Sequence, residues 1–298
     1  MNKLLNLQGN VFIVIVILSI TISFMISKTN QTSNDLYFIL LISFFGVPHG
    51  SLDVLLAQKY FSITTFVAWS KFLSLYILTS IGIIIFWFLQ PALFIVVFLL
   101  FSAFHFADDL DDKMPKIIGI LYGFNIILFP SILHSQELVQ LYSYLINMKD
   151  SAFIVSFMPF IAALLSALLI VCLIYFNKYH SDDNQQSLIE IAAVAFLMLF
   201  IKPLLAFTIY FCFMHSARHI IRARYFLKNY SNHTFIYGLC IPTIIVMTFC
   251  YYIFQSLQMD SLNSGLIKVT FVALAALTFP HAFLLDKIRF LKVAKLSP

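Results

Sequence analysis

Long apolar runs recur along the whole of this chain, and they constrain its fold more than any other feature. A run of about 20 apolar residues is long enough to cross the hydrocarbon core of a bilayer as a helix. Hydrophobic residues make up 61% of the 298-residue sequence and charged residues only 10%, a balance foreign to soluble domains of this size. The sequence therefore predicts an all-α fold, a polytopic bundle of transmembrane helices.

Ten apolar segments can be marked, and we expect them to form a single integral membrane domain over residues 1–298. The first is interpreted as a transmembrane helix rather than a cleaved signal peptide, because no small-x-small pattern ends it. Only Lys202-Pro203 separates the seventh from the eighth, so these two are either one long broken helix or a tight helical hairpin. The segments lie at about 11–27, 36–57, 66–89, 92–107, 116–133, 152–176, 188–201, 204–221, 234–255 and 266–285.

Basic residues in the loops predict the orientation of the bundle, since cytoplasmic loops of membrane proteins carry an excess of Lys and Arg. One basic group follows the eighth segment, another lies in the C-terminal tail, and two helices separate them. Both groups are therefore expected in the cytoplasm, and a count back through ten helices places the N-terminus there as well. The groups are Arg218, Arg222, Arg224 and Lys228, and Lys287, Arg289, Lys292 and Lys295.

This topology bears on location and partners. Arg218 is interpreted as marking the cytoplasmic boundary of the membrane. The net charge of +5 is explained by the basic loops, and because no basic patch is interleaved with polar surface, no nucleic-acid partner is expected. The protein is predicted to be a multi-pass protein of the cell (inner) membrane, with the lipid bilayer as its surroundings.

Five of the eight histidines lie in or at the ends of apolar segments. In the ten-helix count the segments that carry them all run toward the same face, and all five fall within about 12 Å of it at 1.5 Å of helix rise per residue. Polar side chains inside a membrane need partners, and imidazole suits iron, copper and zinc. The pattern therefore predicts a metal site made from His49, His105, His215, His219 and His281.

Two aspartates stand four residues after two of these histidines, at the spacing that places side chains on one face of a helix. Asp53 follows His49 and Asp109 follows His105. A metal-bound imidazole usually donates its other N–H to a carboxylate or carbonyl, so each aspartate is expected to hold its own histidine. Direct ligation by the carboxylate is the competing role. The stretch Gly46-Val-Pro-His-Gly50 is expected to break its helix, since proline removes a backbone donor.

Four short pieces of sequence resemble the Brp/Blh family of membrane β-carotene 15,15′-dioxygenases in their order and separation, over nearly the whole chain. Ala107 stands where glycine is expected in that family, which is a change of one small residue for another. The pieces are Gly-Val-Pro-His-Gly-Ser-Leu-Asp (46–53), Phe-Ser-Ala-Phe-His-Phe-Ala-Asp-Asp (101–109), His-Ser-Ala-Arg-His (215–219) and Phe-Pro-His (279–281).

The resemblance implies an Fe(II) enzyme that splits the central double bond of β-carotene with O₂ into two molecules of all-trans retinal. It implies that Asp53 and Asp109 position the ligands, and that His281 lies behind them or in the substrate pocket. It also implies a retinal-binding rhodopsin as the acceptor of the product. The catalytic residues and iron ligands would be His49, His105, His215 and His219.

Other classes fit these residues less well. Membrane di-iron desaturases and hydroxylases have denser histidine motifs that include an adjacent His-His pair, and this sequence has no such pair. A zinc protease needs a glutamate after its first histidine, and Ser216 stands there. A non-enzymatic metal-binding, metal-transporting or haem-holding membrane protein stays as the alternative. A transporter would place polar groups on both sides of the membrane midplane, whereas here they gather on one side.

Overall fold

The architecture is that of a computed structural model, which describes residues 1–26, 35–111, 113–179, 185–256 and 262–294. Within those ranges the secondary structure is entirely helical, as the apolar runs predict. The α-helices are α1 (Asn2–Ile26), α2 (Asp35–Leu41), α3 (Pro48–Ser51), α4 (Asp53–Phe61), α5 (Phe66–Leu89), α6 (Pro91–Phe106), α7 (Lys116–Leu128), α8 (Pro130–Leu133), α9 (Ser135–Ser143), α10 (Met148–Tyr179), α11 (Gln185–Phe200), α12 (Pro203–Ile209), α13 (Ala217–Phe226), α14 (Asn232–Ser256) and α15 (Leu262–Ala294).

In the described part of the chain, nine helical spans are long and apolar enough to cross a membrane. They correspond to nine of the ten expected segments, and the prediction of a multi-pass helical bundle is confirmed. The remaining segment, the seventh, is the shorter apolar helix α11. Lys295 of the C-terminal tail and residues 180–184 of the linker at 177–187 lie outside the described residues.

The seventh and eighth segments form a hairpin rather than one long helix. Glu190 lies near the start of α11 and forms an ion pair of 2.9 Å with Arg218. Arg218 lies well after the connection at Ile201–Lys202. Two residues so far from the connection on either side can meet only if the segments run antiparallel. Gln8 of α1 lies beside this hairpin, since its side-chain amide donates to the carbonyl of Phe213 at 2.6 Å.

The spans divide into a central and a peripheral set. At least half of the residues are buried in the most apolar windows of Tyr37–Phe61, Lys116–Leu133, Pro203–Phe226 and Ser264–Ile288. In the described structure, α5 has no buried residue and α14 has only Thr243, so these two helices lie at the lipid-facing edge. Four of the five membrane histidines belong to central spans, and His105 lies at the buried end of α6.

Two central spans contain a π-helical turn beside a histidine. One turn, Ile42–Gly46, precedes His49, and the other, Tyr210–Ser216, contains His215. The break expected at Gly46–Gly50 is present, because that span is divided into α2, the π turn, α3 and α4. Single π turns in α-helices are frequent at functional sites, since the inserted residue turns the following side chains away from the direction a regular helix would give.

Close packing of α6 against α7 depends on a glycine. A Cβ atom on Gly123 would lie 1.9 Å from the carbonyl oxygen of Ala103, far closer than non-bonded atoms approach. Small residues let membrane helices pack with their backbones nearly in contact. Because Ala103 is two residues from His105, this contact helps to set where His105 lies in the bundle.

Candidate metal centre

The structure brings all five sequence-predicted histidines into one buried cluster. The centre of the His49 ring lies 5.0 Å from those of His215 and His281 and 5.5 Å from that of His219. The His105 ring lies 4.8 Å from His215 and 5.3 Å from His281. Residues from four separate membrane spans therefore converge on one point, which we call the histidine cluster.

Four histidines of the cluster present a buried nitrogen without a hydrogen-bond partner in the described part of the chain. The buried Nε2 atoms of His105, His215, His219 and His281 find no hydrogen bond within the described residues. The ligand atoms of His49, His105 and His281 lie within 4.8 Å of one another. Buried polar atoms are nearly always paired, and imidazole nitrogens are good ligands of transition metals. The residues present therefore fit a bound metal ion.

The hydrogen bond of His49 determines which of its nitrogens can bind a metal. Its Nδ1 lies 2.5 Å from the carbonyl oxygen of Gly46. Because a carbonyl oxygen only accepts hydrogen bonds, Nδ1 must carry the proton. The lone pair of the neutral ring is then on Nε2. Ser216 also lies beside this Nδ1, at 3.1 Å, and donates to the same carbonyl.

Two matching chains of side chains hold two further histidines, each made of a tyrosine, an aspartate and a histidine. The Nδ1 of His215 lies 3.0 Å from both carboxylate oxygens of Asp109, which also accepts the hydroxyl of Tyr210.

In the second tyrosine–aspartate–histidine series, the Nδ1 of His281 donates to Asp53 at 2.7 Å. The hydroxyl of Tyr76 donates to the other oxygen of that carboxylate at 2.9 Å. A carboxylate on Nδ1 fixes the tautomer and the ring direction of a metal-binding histidine. Each chain thus leaves its histidine with Nε2 free in the cluster.

The expected pairing of the aspartates is wrong. Asp53 holds His281 instead of His49, and Asp109 holds His215 instead of His105. The reason is local: α3 ends at Ser51 before Asp53 begins α4, and Asp109 lies in a 3₁₀ turn after α6 has ended. The four-residue spacing shares a face only in an unbroken α-helix, so it does not apply at either place.

His281 lies in the cluster itself. The resemblance put it behind the ligands or in the substrate pocket, and its ring stands among the other histidines with Nε2 unpaired within the described structure. It is joined to an aspartate just as His215 is. On geometry, His281 is therefore equivalent to His215, one of the four histidines that the resemblance assigns as ligands.

The charges around the cluster favour a cation. Asp53 and Asp109 are both buried, and a buried carboxylate is costly without a compensating positive charge. Protonation of His215 and His281 would supply that charge, but it would leave a buried N–H on each Nε2 without an acceptor. A metal ion bound to the same nitrogens compensates the carboxylates and also occupies the lone pairs.

Arg218 is not the boundary charge that we expected. Its side chain is buried, forms an ion pair with Glu190, and donates to the backbone carbonyl of Asp109 at 2.7 Å. Arg222 donates to the carbonyl of Asp108, also at 2.7 Å. The two guanidinium groups thus position the turn that carries Asp109.

The structure adds three residues that sequence reasoning missed, Tyr76, Tyr210 and Glu190. The two tyrosines have no distinguishing spacing among the 14 in the chain. Glu190 did have a signal, since it is the single acidic residue of the seventh apolar segment. A charged side chain inside an apolar segment needs a partner.

Aromatic rings surround the cluster. Phe211 meets His49 edge-on with ring centres 5.3 Å apart, and Phe106 meets His215 at 5.0 Å. Phe101 and Phe279 are stacked at 4.1 Å on the helices that carry His105 and His281. This apolar surround excludes water from the nitrogens, as a site for an apolar substrate requires.

Comparison with known proteins points to one family. A family model described as beta-carotene 15,15′-dioxygenase matches residues 40–289, which include all five histidines. The chain is also similar to a beta-carotene 15,15′-dioxygenase of an uncultured marine bacterium, 66A03, with 28% identity over 261 residues. That match covers 83% of this chain and 90% of the relative. No solved structure matches the chain.

Proposed function

This chain belongs to the β-carotene 15,15′-dioxygenase family, and from that premise we propose an Fe(II)-dependent reaction. The enzyme cleaves the central double bond of β-carotene with O₂ and releases two molecules of all-trans retinal. The observation that carries the proposal is the histidine cluster, in which four buried Nε2 atoms lack a partner among the described residues. The match to a dioxygenase family favours iron among the metals that imidazole binds.

The proposed iron ligands are His49, His105, His215 and His219, and we propose to add His281 to the set. His281 has the same support as His215, a carboxylate on Nδ1 and an unpaired Nε2 in the described structure. Its ligand atom also lies within 4.8 Å of those of His49 and His105. We propose no carboxylate ligand, because Asp53 and Asp109 are each occupied by a histidine and a tyrosine.

The reaction needs no external reductant. The carbon–carbon double bond breaks, and each carbon takes one atom of O₂, so that two aldehydes form and both oxygen atoms are used. Bound iron supplies the redox chemistry that lets O₂ react with a closed-shell polyene. The protein does the rest: it holds the metal, keeps the pocket dry, and places one double bond beside it, and positioning of this kind accounts for a large part of catalysis.

Each part of the site has a task in this scheme. Asp53 and Asp109 keep the protons of His281 and His215 on Nδ1, so that the rings remain neutral ligands with fixed directions. The carbonyl of Gly46 does the same for His49. Phe106, Phe211 and the other rings exclude water, which protects the intermediates of the reaction from side reactions.

Substrate and product both suit a site at membrane depth. β-Carotene dissolves in the hydrocarbon of the bilayer, and retinal is released into the same phase, where a retinal-binding rhodopsin can accept it. We place the enzyme in the cell (inner) membrane with the histidine cluster near the cytoplasmic face, since Arg222 and Arg224 of α13 and Lys228 after it are expected on that side.

The test is expression in cells that accumulate β-carotene, together with assay of the purified protein in detergent. We expect loss of orange colour, appearance of retinal by chromatography, and iron in the purified protein. Unchanged carotenoid in the presence of folded, iron-supplied protein would contradict the proposal. A Soret band in the purified protein would instead point to the haem-holding alternative.

A further inference from the structure

Two cavities border the histidine cluster. The first, here called the open chamber, has a volume of about 340 Å³ and lies between α5, α14 and α15. The second, the closed chamber, has a volume of about 80 Å³ and lies between α6, α7, α9, α12 and α15. His49, Leu274 and Thr278 line both, so the two chambers meet at the cluster.

The open chamber faces lipid through a gap between α5 and α14. Leu73, Ile77 and Ile245 line it and are also exposed on the outer surface, by 42%, 54% and 63%. Both helices pack against α15, yet among the described residues they make few direct contacts with each other. Since both belong to membrane-spanning segments, the gap opens sideways into the hydrocarbon of the bilayer.

Every residue that lines the closed chamber is buried or half-buried, whereas exposed residues line the open chamber. The closed chamber starts at His105 and follows α6 back to Phe98, seven residues or roughly 10 Å of helix rise away. Leu138, Leu141 and Tyr142 of α9 complete its wall. Because α9 follows the end of α7 that is remote from the cluster, these side chains form the blind end of the chamber.

The shapes and surfaces of the chambers indicate a long, thin ligand without polar groups along its length. The linings of both chambers are mainly aliphatic and aromatic. Apart from Tyr142 at the blind end, every titratable side chain that lines them lies at or next to the histidine cluster. The closed chamber is the smaller of the two, at about 80 Å³ against about 340 Å³. Met198 is part of its wall, and the flexible side chain of methionine lets such a wall adapt to a bulkier end group.

We infer that a rod-shaped apolar substrate passes sideways from the lipid between α5 and α14 into the open chamber. Its leading half then enters the closed chamber, which widens from about 80 Å³ as side chains of its wall such as Met198 move. The blind end of that chamber determines which double bond lies at the histidine cluster. The trailing half stays in the open chamber. This inference rests on the proposed function, and it explains how an enzyme without polar contacts to its substrate selects one bond among many similar ones.

The blind end is tested with Leu138→Trp, which shortens the closed chamber. The leading half can then advance less far, so a bond nearer the leading end lies at the cluster. We expect unequal apocarotenal fragments in place of retinal alone, measured by chromatography and mass spectrometry. Leu133→Trp is the matched control, since Leu133 is close in sequence and 56% exposed, and it should still yield only retinal.

Leu141→Trp is a second variant at a half-buried position of the same wall, and it decides the question if Leu138→Trp does not fold. Retinal as the single product of both folded variants would overturn the blind-end inference. That outcome leaves the proposed function intact. Wild-type protein with bound iron that leaves every carotenoid uncleaved would instead overturn the proposed function.

The gap is tested in metal-free protein, so that the result does not depend on cleavage. Uptake of β-carotene from lipid vesicles is followed by the shift of its absorption spectrum. Leu73→Trp should slow uptake several-fold, because its side chain narrows the gap. Leu75→Trp changes an exposed residue of the same helix that does not line the chamber, and should leave uptake unchanged. Equal rates for both variants would overturn the lateral route.

Discussion

At the scale of single residues, the functional chemistry is a set of five clustered imidazoles, three of which are held by an acceptor on Nδ1. Gly46, Asp53 and Asp109 each hold one histidine through Nδ1. The two tyrosine–aspartate–histidine chains are built from different helices, yet they have the same order of contacts. This repetition is the strongest reason to treat His281 as the equal of His215.

Loss of a cluster histidine should remove iron without unfolding the protein. We expect His281→Ala to lose iron and retinal formation as fully as His215→Ala, because both remove a ligand with a carboxylate behind it. Iron per protein is measured by plasma mass spectrometry, and folding by elution in detergent. His233→Ala, on an exposed residue, is the control. Full iron content in His281→Ala would return that residue to a role outside the ligand set.

The aspartates should act through their histidines. Asp53→Asn and Asp109→Asn keep the shape of the side chain but lose the charge, so each should weaken iron binding by about 10–100-fold. Asp111→Asn is the matched control, because Asp111 is exposed beside the same turn. Iron retention is measured by titration with a chelator. Equal retention in all three variants would show that the carboxylates do not support the ligands.

At the scale of elements, the site depends on where helices stop being regular. The π turns at Ile42–Gly46 and Tyr210–Ser216 and the 3₁₀ turn at Ala107–Asp109 all lie beside functional residues. Three of the four helices that supply histidines therefore depart from α geometry at the cluster, whereas α15 continues through Pro280. Regular helices would have paired the aspartates as the spacing suggested.

The contact of α6 with α7 gives an element-scale prediction. Gly123→Ala places a methyl group against the backbone of Ala103, and overpacking of this kind typically costs about 1–3 kcal/mol. We expect a lower melting temperature in detergent and a lower iron content, since α6 carries His105. Gly82→Ala is the control: nothing lies within 4 Å of its added atom, and alanine favours the helix by about 0.5–1 kcal/mol. Similar melting temperatures for the two variants would contradict the packing argument.

At the scale of the whole molecule, the bundle brings the five histidines together in its interior and places its least buried helices, α5 and α14, at the edge. Gln8, Glu190 and Arg218 join the first, seventh and eighth segments at the height of the cluster. The hairpin of α11 and α12 is compatible with the alternation expected for ten crossings. Ten crossings would bring the cluster ends of spans that are far apart in sequence to the same side of the membrane.

Accessibility of single cysteines to an impermeant label tests that topology, in a background without the four native cysteines. Asp111→Cys and Ser231→Cys should react from the same side, because both follow the cluster ends of their spans. Gln90→Cys and Lys202→Cys should react only from the opposite side. The decisive position is Lys202, since α11 with 16 residues is about 24 Å long and shorter than every candidate membrane span in the described part of the chain. Labelling of Lys202→Cys from the Asp111 side would exclude the tenth crossing.

The sequence by itself determined the helical membrane class and the five candidate histidines, because apolar length and buried polarity are local properties of a chain. It did not determine the pairing of Asp53 with His281 or of Asp109 with His215. Those contacts join residues 228 and 106 positions apart, and they depend on helix breaks that four-residue spacing ignores. Nor could it show that Arg218 is buried against Glu190, or that two chambers meet at His49. Such facts belong to packing between helices, which only the tertiary structure decides.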